Sequence, residues 1–121
     1  MSDGRRVLGT QAEQIAEQYL LKNGYRILER NVRSRRGEMD LVAMQGETLV
    51  FCEVKSRQGV GELHPGDSIH ARKQGRLIRL AAGYLQRHGQ YAEMLCRFDA
   101  VLVWKTGSLW RVEVIVDAFR P

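Results

Sequence analysis

The stretch from Gly37 to Lys55 constrains this chain more than any other. It reads Gly37-Glu38-Met39-Asp40-Leu41-Val42-Ala43, a polar Gln45-Gly46-Glu47, then Leu49-Val50-Phe51-Cys52-Glu53-Val54-Lys55. Two apolar runs around a glycine-containing turn predict a β-hairpin. In the second run Leu49 and Phe51 fall on one face, and Val50, Cys52 and Val54 on the other. A strand that is apolar on both faces is a central strand, so the sheet needs cover on both sides. Yet each run also carries an acid where a core residue belongs, and a carboxylate inside an apolar run costs free energy unless something pairs with it.

Register decides whether the two acids meet. With Gly46-Glu47 as the loop, Asp40 falls directly across from Glu53, and Glu38 across from Lys55. A loop one residue longer would send Asp40 to the other face. Directly opposed side chains sit at roughly 5 Å between Cβ atoms. Two carboxylates at that distance repel by about 3 kcal/mol at an effective dielectric of 20. A hard divalent cation between them would convert the repulsion into a binding site. Glu38 and Lys55 read as a cross-strand pair. Lys55 also shares a face with Glu53, where its ammonium could neutralise the acids, orient a water or stabilise charge on a phosphate.

Around this hairpin the pattern predicts a helix from Thr10 to about Asn23, stopped by Gly24, with Ala12, Ile15, Ala16, Tyr19 and Leu20 as its apolar stripe. Thr10-Gln11-Ala12-Glu13 has the form of a capping box, in which Glu13 reaches back to the Thr10 amide. Tyr25 to Val32 reads as a strand, followed by the hairpin strands at about 38–45 and 48–56. After a loop with Gly59, Gly61, Pro65 and Gly66, a second helix begins, with Asp67 or Ser68 as its N-cap. Ile69, Leu77, Ile78, Leu80, Ala81, Tyr84 and Leu85 form its apolar side, and Gly89 ends it. Strands at 97–104 and 109–115 close the chain. The order is α-β-β-β-α-β-β, with three antiparallel strands and a helical crossover that returns the fourth strand parallel to the third. This describes one domain over residues 1–121, an α/β fold with a mixed sheet flanked by helices.

Nineteen basic residues against fourteen acidic give a net charge of +5, which points to a polyanion partner. Arg33, Arg35 and Arg36 precede the acidic site, where a nucleic-acid backbone would pass. Arg72, Arg76 and Arg79, with Lys73 beside them, share a face of the second helix. Either cluster could contact phosphates or be a solvated face. No run of apolar residues reaches the length of a membrane span, and no signal-peptide core follows the N-terminus, so a cytoplasmic location is expected. Cys52 and Cys96 read as reduced core thiols. His64, His70 and His88 are scattered, and no Cys/His spacing suggests zinc.

Asp40 followed by Glu53-Val54-Lys55, after a helix bearing Glu13, resembles the PD-(D/E)xK nuclease superfamily, although Met39 stands where the proline of that name would be. The likeness implies the restriction-endonuclease-like fold with its αβββαβ core. A closer resemblance, over nearly the whole chain, is to the uncharacterised bacterial YraN-like family, which is distantly similar to archaeal Holliday junction resolvases. It is carried by Gly9-Thr10-Gln11-Ala12-Glu13, Gly24-Tyr25, Arg30-Asn31, Gly37-Glu38-Met39-Asp40-Leu41-Val42-Ala43, Phe51-Cys52-Glu53-Val54-Lys55-Ser56-Arg57, Lys73 and Arg97-Phe98-Asp99. The resemblance implies a metal-dependent endonuclease acting on DNA phosphodiesters, with DNA favoured over RNA and branched or junction DNA as a candidate substrate. Asp40, Glu53 and the helix-one acid Glu13 would hold Mg²⁺ or Mn²⁺, and Lys55 would face the attacking water. Arg33, Arg35, Arg36, Arg57, Arg72, Lys73 and Arg76 would contact nucleic acid, and a homodimer is implied by analogy. Two other readings fit the same residues: a non-catalytic nucleic-acid-binding module on the nuclease-like fold, and a protein-interaction adaptor. Asp99 belongs to the family pattern without an assigned role.

Overall fold

The computed structural model describes residues 4–57 and 69–121, with side chains described for 11–56 and 69–121. The elements are α1 (Gly4–Lys22), β1 (Tyr25–Ser34), β2 (Gly37–Gln45), β3 (Thr48–Arg57), α2 (Ala71–Arg87), β4 (Leu95–Thr106) and β5 (Leu109–Phe119). They form one sheet in the order β1-β2-β3-β4-β5. β3 and β4 run parallel, and every other neighbouring pair is antiparallel. This is the αβββαβ order and mixed sheet of the restriction-endonuclease-like core, with β5 added at one edge.

The local signals held best where a glycine had to end an element. Gly24 sits at φ +86, a conformation that glycine adopts without a Cβ penalty, and it stops α1 as expected. The start of α1 was misread. The helix begins at Gly4, so Thr10 lies inside it and cannot be its N-cap. The capping box is therefore excluded. Thr10-Gln11-Ala12-Glu13 has the pattern of a capped start, but the backbone hydrogen bonds of a continuing helix outweigh the roughly 1 kcal/mol that the interior Gly9 costs. On the apolar stripe, Ala12, Ala16 and Leu20 are buried and Ile15 is half-buried, whereas Tyr19 is exposed. α2 begins at Ala71 with His70 in the N-cap position and no side-chain cap. The expected caps Asp67 and Ser68, the loop glycines before them and His64 lie outside the described residues. Both final strands are longer than predicted.

Each face of the sheet has its own core. α1 covers Leu41, Ala43, Val50, Cys52, Val101 and Val103 through Ala12, Ala16 and Leu20. α2 covers Val42, Leu49 and Phe51 through Leu77, Leu80, Ala81 and Tyr84. Leu49, Val50, Phe51 and Cys52 all lie at 2% exposure or less, so β3 is buried on both faces as its alternation required. Phe51 stacks on Phe98 at 5.5 Å and meets the Tyr84 ring edge-on at 5.9 Å, tying β3 to β4 and α2. Cys52 is buried, and burial pushes its thiol pKa up. Cys96 is exposed, contrary to the expectation of a core thiol.

Asp99 now has a role. It is 1% exposed, and four hydrogen bonds hold its carboxylate. Arg97 donates from Nε to Oδ1 and from Nη2 to Oδ2, both at 2.8 Å. Tyr25 Oη donates to Oδ2 at 2.8 Å, and the Asp117 N–H to Oδ1 at 2.9 Å. Arg97 also reaches Gln45 Oε1 at 2.7 Å. The cluster thus joins β1, β2, β4 and β5 at one end of the sheet. It also holds Asp117 at φ +56, where β4 and β5 slip register between Phe98 and Ala100. Asp99→Ala would strip the half-buried guanidinium of its counter-charge and the Tyr25 hydroxyl of its acceptor, so it should lower unfolding free energy by about 3–5 kcal/mol, against about 1 kcal/mol for Tyr25→Phe. Urea denaturation measures both; equal losses would show that the cluster does not act as a unit.

Candidate active site

The predicted hairpin register is correct from Gln45↔Thr48 to Leu41↔Cys52. There the regular ladder ends. The N–H of Val54 goes to Asp40 Oδ2 at 2.7 Å. A carboxylate has taken the place of a backbone acceptor, so β2 and β3 are clipped together by a side chain where they part. Asp40 and Glu53 therefore do not form a ladder pair, yet both line one cleft. Glu38 makes an ion pair with Arg33 on β1, at 3.6 Å, and faces it in the register; the β2–β3 ladder ends before Glu38 and Lys55, so the two are not opposed in it as expected. Lys55 instead lies beside Leu102 of β4.

The cleft has a volume of about 240 Å³ and is walled by Arg36 from the β1–β2 turn, Gly37, Glu38 and Asp40 from β2, Glu53 from β3, and Lys73, Arg76, Leu77 and Leu80 from α2. Gly37, at φ +136, brings the turn in close, and Leu80 lies 3.9 Å from where a Cβ would stand. Glu53 is 6% exposed. Lys73 Nζ contacts its Oε1 at 2.7 Å. Its Oε2 is buried with no hydrogen-bond partner. Burial first, then the charge of Asp40, raise the Glu53 carboxyl to about 7, against the pull of Lys73. Burial also raises Asp40, against the Val54 N–H. The pair is a frustrated one: a single lysine, itself half-exposed, does not offset two desolvated acids.

The other expected site residues fall into groups. Glu13 is raised by burial and then by the charges of Asp40 and Glu38, so it senses the site. It does not line the cleft, because α1 packs on the opposite face of the sheet. Among the described residues no three His, Cys, Asp or Glu side chains converge in a group that could hold a metal ion. Lys55 lines a smaller adjoining cavity with Glu53, Ile69, His70 and Lys73. Arg36 and Arg76 stand in the cleft wall, while Arg33, Arg35 and Arg72 are exposed around it. The Arg57 side chain lies outside the described residues. Sequence reasoning missed the direct grip of Lys73 on Glu53 and the place of His70. No local signal gives either, because α2 meets β3 only through tertiary packing.

A family model matches residues 12–103, which include Glu13, Asp40, Glu53, Lys55, Lys73 and Asp99; it is described as uncharacterised protein family UPF0102. The chain belongs to that family. A UPF0102 protein of Symbiobacterium thermophilum is 50% identical over 95% of this chain and 98% of its own length. One from Magnetococcus marinus is 46% identical over 93% and 90%. UPF0102 thus corresponds to the YraN-like family that the sequence resembled. Among solved structures, that of Pyrococcus furiosus SfsA in complex with Ca²⁺ aligns with a TM-score of 0.40 and 18% identity, over 93% of this chain and 62% of that one. This chain therefore spans less than two thirds of that protein. No described helix is long and apolar enough to cross a membrane.

The raised Glu53 carboxyl predicts how this UPF0102 protein responds to pH. Its folded pKa lies above its ordinary 4.5, so its stabilising contribution is complete below 4.5 and is lost as pH rises through about 7. Glu53→Gln removes the ionisation. In a chelating buffer the variant should melt about 5 °C above the parent at pH 8, with the gap closing towards pH 4.5. Thermal unfolding across that range measures it; a gap that is constant, or that grows as pH falls, contradicts the assignment.

Proposed function

We propose that this protein is a metal-dependent endonuclease that hydrolyses DNA phosphodiesters, with branched or junction DNA as the candidate substrate. The observation that carries the reading is Glu53 Oε2, buried and unpartnered beside the second acid of the cleft. Native folds rarely leave a carboxylate oxygen in that state without a use for it. The residues fit a hard divalent cation of the Mg²⁺ or Mn²⁺ kind, since Asp40 and Glu53 offer oxygen donors and excess negative charge. When bound, such an ion would supply positive charge to a phosphate oxygen and to an attacking water.

The chain's own residues do the remaining work. The Val54 N–H fixes the Asp40 carboxylate. Lys73 orients Glu53 by holding one oxygen and leaving the other directed elsewhere. Lys55, next to Glu53 on the same strand face, has an ammonium suited to steadying a water or the developing phosphate charge. Arg36 and Arg76 extend from different elements into one cleft, an arrangement that suits phosphates of a single strand passing between β2 and α2. Arg33, Arg35 and Arg72 add sequence-independent attraction around it.

The excess of basic residues also favours a second reading, a nucleic-acid-binding module without catalysis. Metal binding separates the two. Calorimetry with Mn²⁺, together with a cleavage panel of junction, flap, single-stranded and duplex DNA, should show Mn²⁺ affinity and cleavage for the parent protein. Asp40→Asn and Glu53→Gln should each bring cleavage down to background while the folded spectrum is kept. Cleavage retained in both variants would overturn the site. DNA retention on a gel without metal affinity would establish the binding module instead.

A further inference from the structure

The two edges of the sheet are built differently. β1 is guarded: Arg26, Glu29, Arg30 and Arg33 line it, Asn31 adopts φ +52, and its pairing slips between Ile27 and Glu29. Charges, kinks and bulges of this kind prevent strand addition. β5 has no bulge and no positive-φ residue along Leu109–Ile115, where its pairing with β4 is regular, and its charges there are one of each sign, Arg111 and Glu113. It holds neither lysine nor proline, and its only irregularity comes at Asp117, near its end. No described strand pairs with its outer side. Leu109 is 63% exposed, and Trp110, Val112, Val114 and Ile115 are only half-buried.

The charges on β5 select a partner. Arg111 and Glu113, both exposed, sit two residues apart and so on the same face. When a strand pairs antiparallel with its own copy, opposed residues share a face, so the two-fold axis must pass beside one residue. An axis beside Arg111 opposes two arginines, and one beside Glu113 opposes two glutamates. An axis beside Val112 places Arg111 opposite Glu113 of the second copy, twice. The same register sets Leu109 against Ile115 and Trp110 against Val114. The first of these covers the most exposed apolar side chain of the strand, and the second joins the half-buried margins of the two α1-side cores.

We infer that β5 is a self-complementary docking edge, through which two copies of this chain form a continuous ten-stranded sheet about a two-fold axis beside Val112. The interface is isologous, so every contact occurs twice. It lies at the edge remote from β1 and β2 and uses none of the residues of the acidic cleft, so it stands whether or not the protein is a nuclease.

A charge-swap series on the full chain, read by sedimentation equilibrium, tests the interface. The parent should be a dimer in the micromolar range. Arg111→Glu or Glu113→Arg alone turns two attractive pairs into two repulsive ones and should weaken dimerisation about tenfold or more. The double variant, Arg111→Glu with Glu113→Arg, restores both pairs and should return the dissociation constant to within about threefold of the parent. Recovery in the double variant shows that the single variants were not simply misfolded. A monomeric parent, single variants that dimerise like the parent, or a double variant as weak as the singles would each overturn the proposal.

Discussion

The hydrogen bond from the Val54 N–H to the Asp40 carboxylate governs this molecule's open end. A backbone acceptor there would have extended the β2–β3 ladder and brought the acids into direct opposition. The carboxylate acceptor lets the strands separate without orphaning an amide in the core. The gap that results is the cleft, and α2 closes it from above with Leu77 and Leu80. A single side chain thus ends a sheet ladder and fixes one of two acids in a site.

That geometry explains how a buried acid pair persists. Glu53 stands on the strand most deeply packed into both cores, with Leu49, Val50, Phe51 and Cys52 anchoring it. Such a strand cannot relax to bring the carboxylate to water. The unfavourable ionisation is absorbed by the surrounding packing.

Much of this was legible in the sequence. The alternation of Leu49 to Val54 required a central strand, and the Gly46-Glu47 turn set the register from Gln45 to Leu41. Both are local consequences of period and turn chemistry. The pairing of Asp40 with a backbone amide was not legible, because hairpin arithmetic assumes that the ladder continues. The hold of Lys73 on Glu53 and the outlying place of Glu13 depend on which face of the sheet each helix covers, and no local pattern encodes that. α1 was misread at Thr10 for the opposite reason: a strong local signal lost to the helix running through it.

Asp99 and Glu53 show why burial alone does not mark a site. Both are acids with almost no exposure, on adjacent parallel strands. Asp99 accepts four hydrogen bonds, each of its oxygens taking two, so nothing remains for a ligand. Its role is to fasten four strands at one end of the sheet. Glu53 has one oxygen on Lys73 and the other without a donor, with the Asp40 carboxyl as its neighbour. The fold evidently can satisfy a buried carboxylate in full, since it does so at Asp99. That it leaves Glu53 half satisfied, beside a second acid, sets Glu53 apart from the structural acid Asp99, and the proposed site rests on that difference.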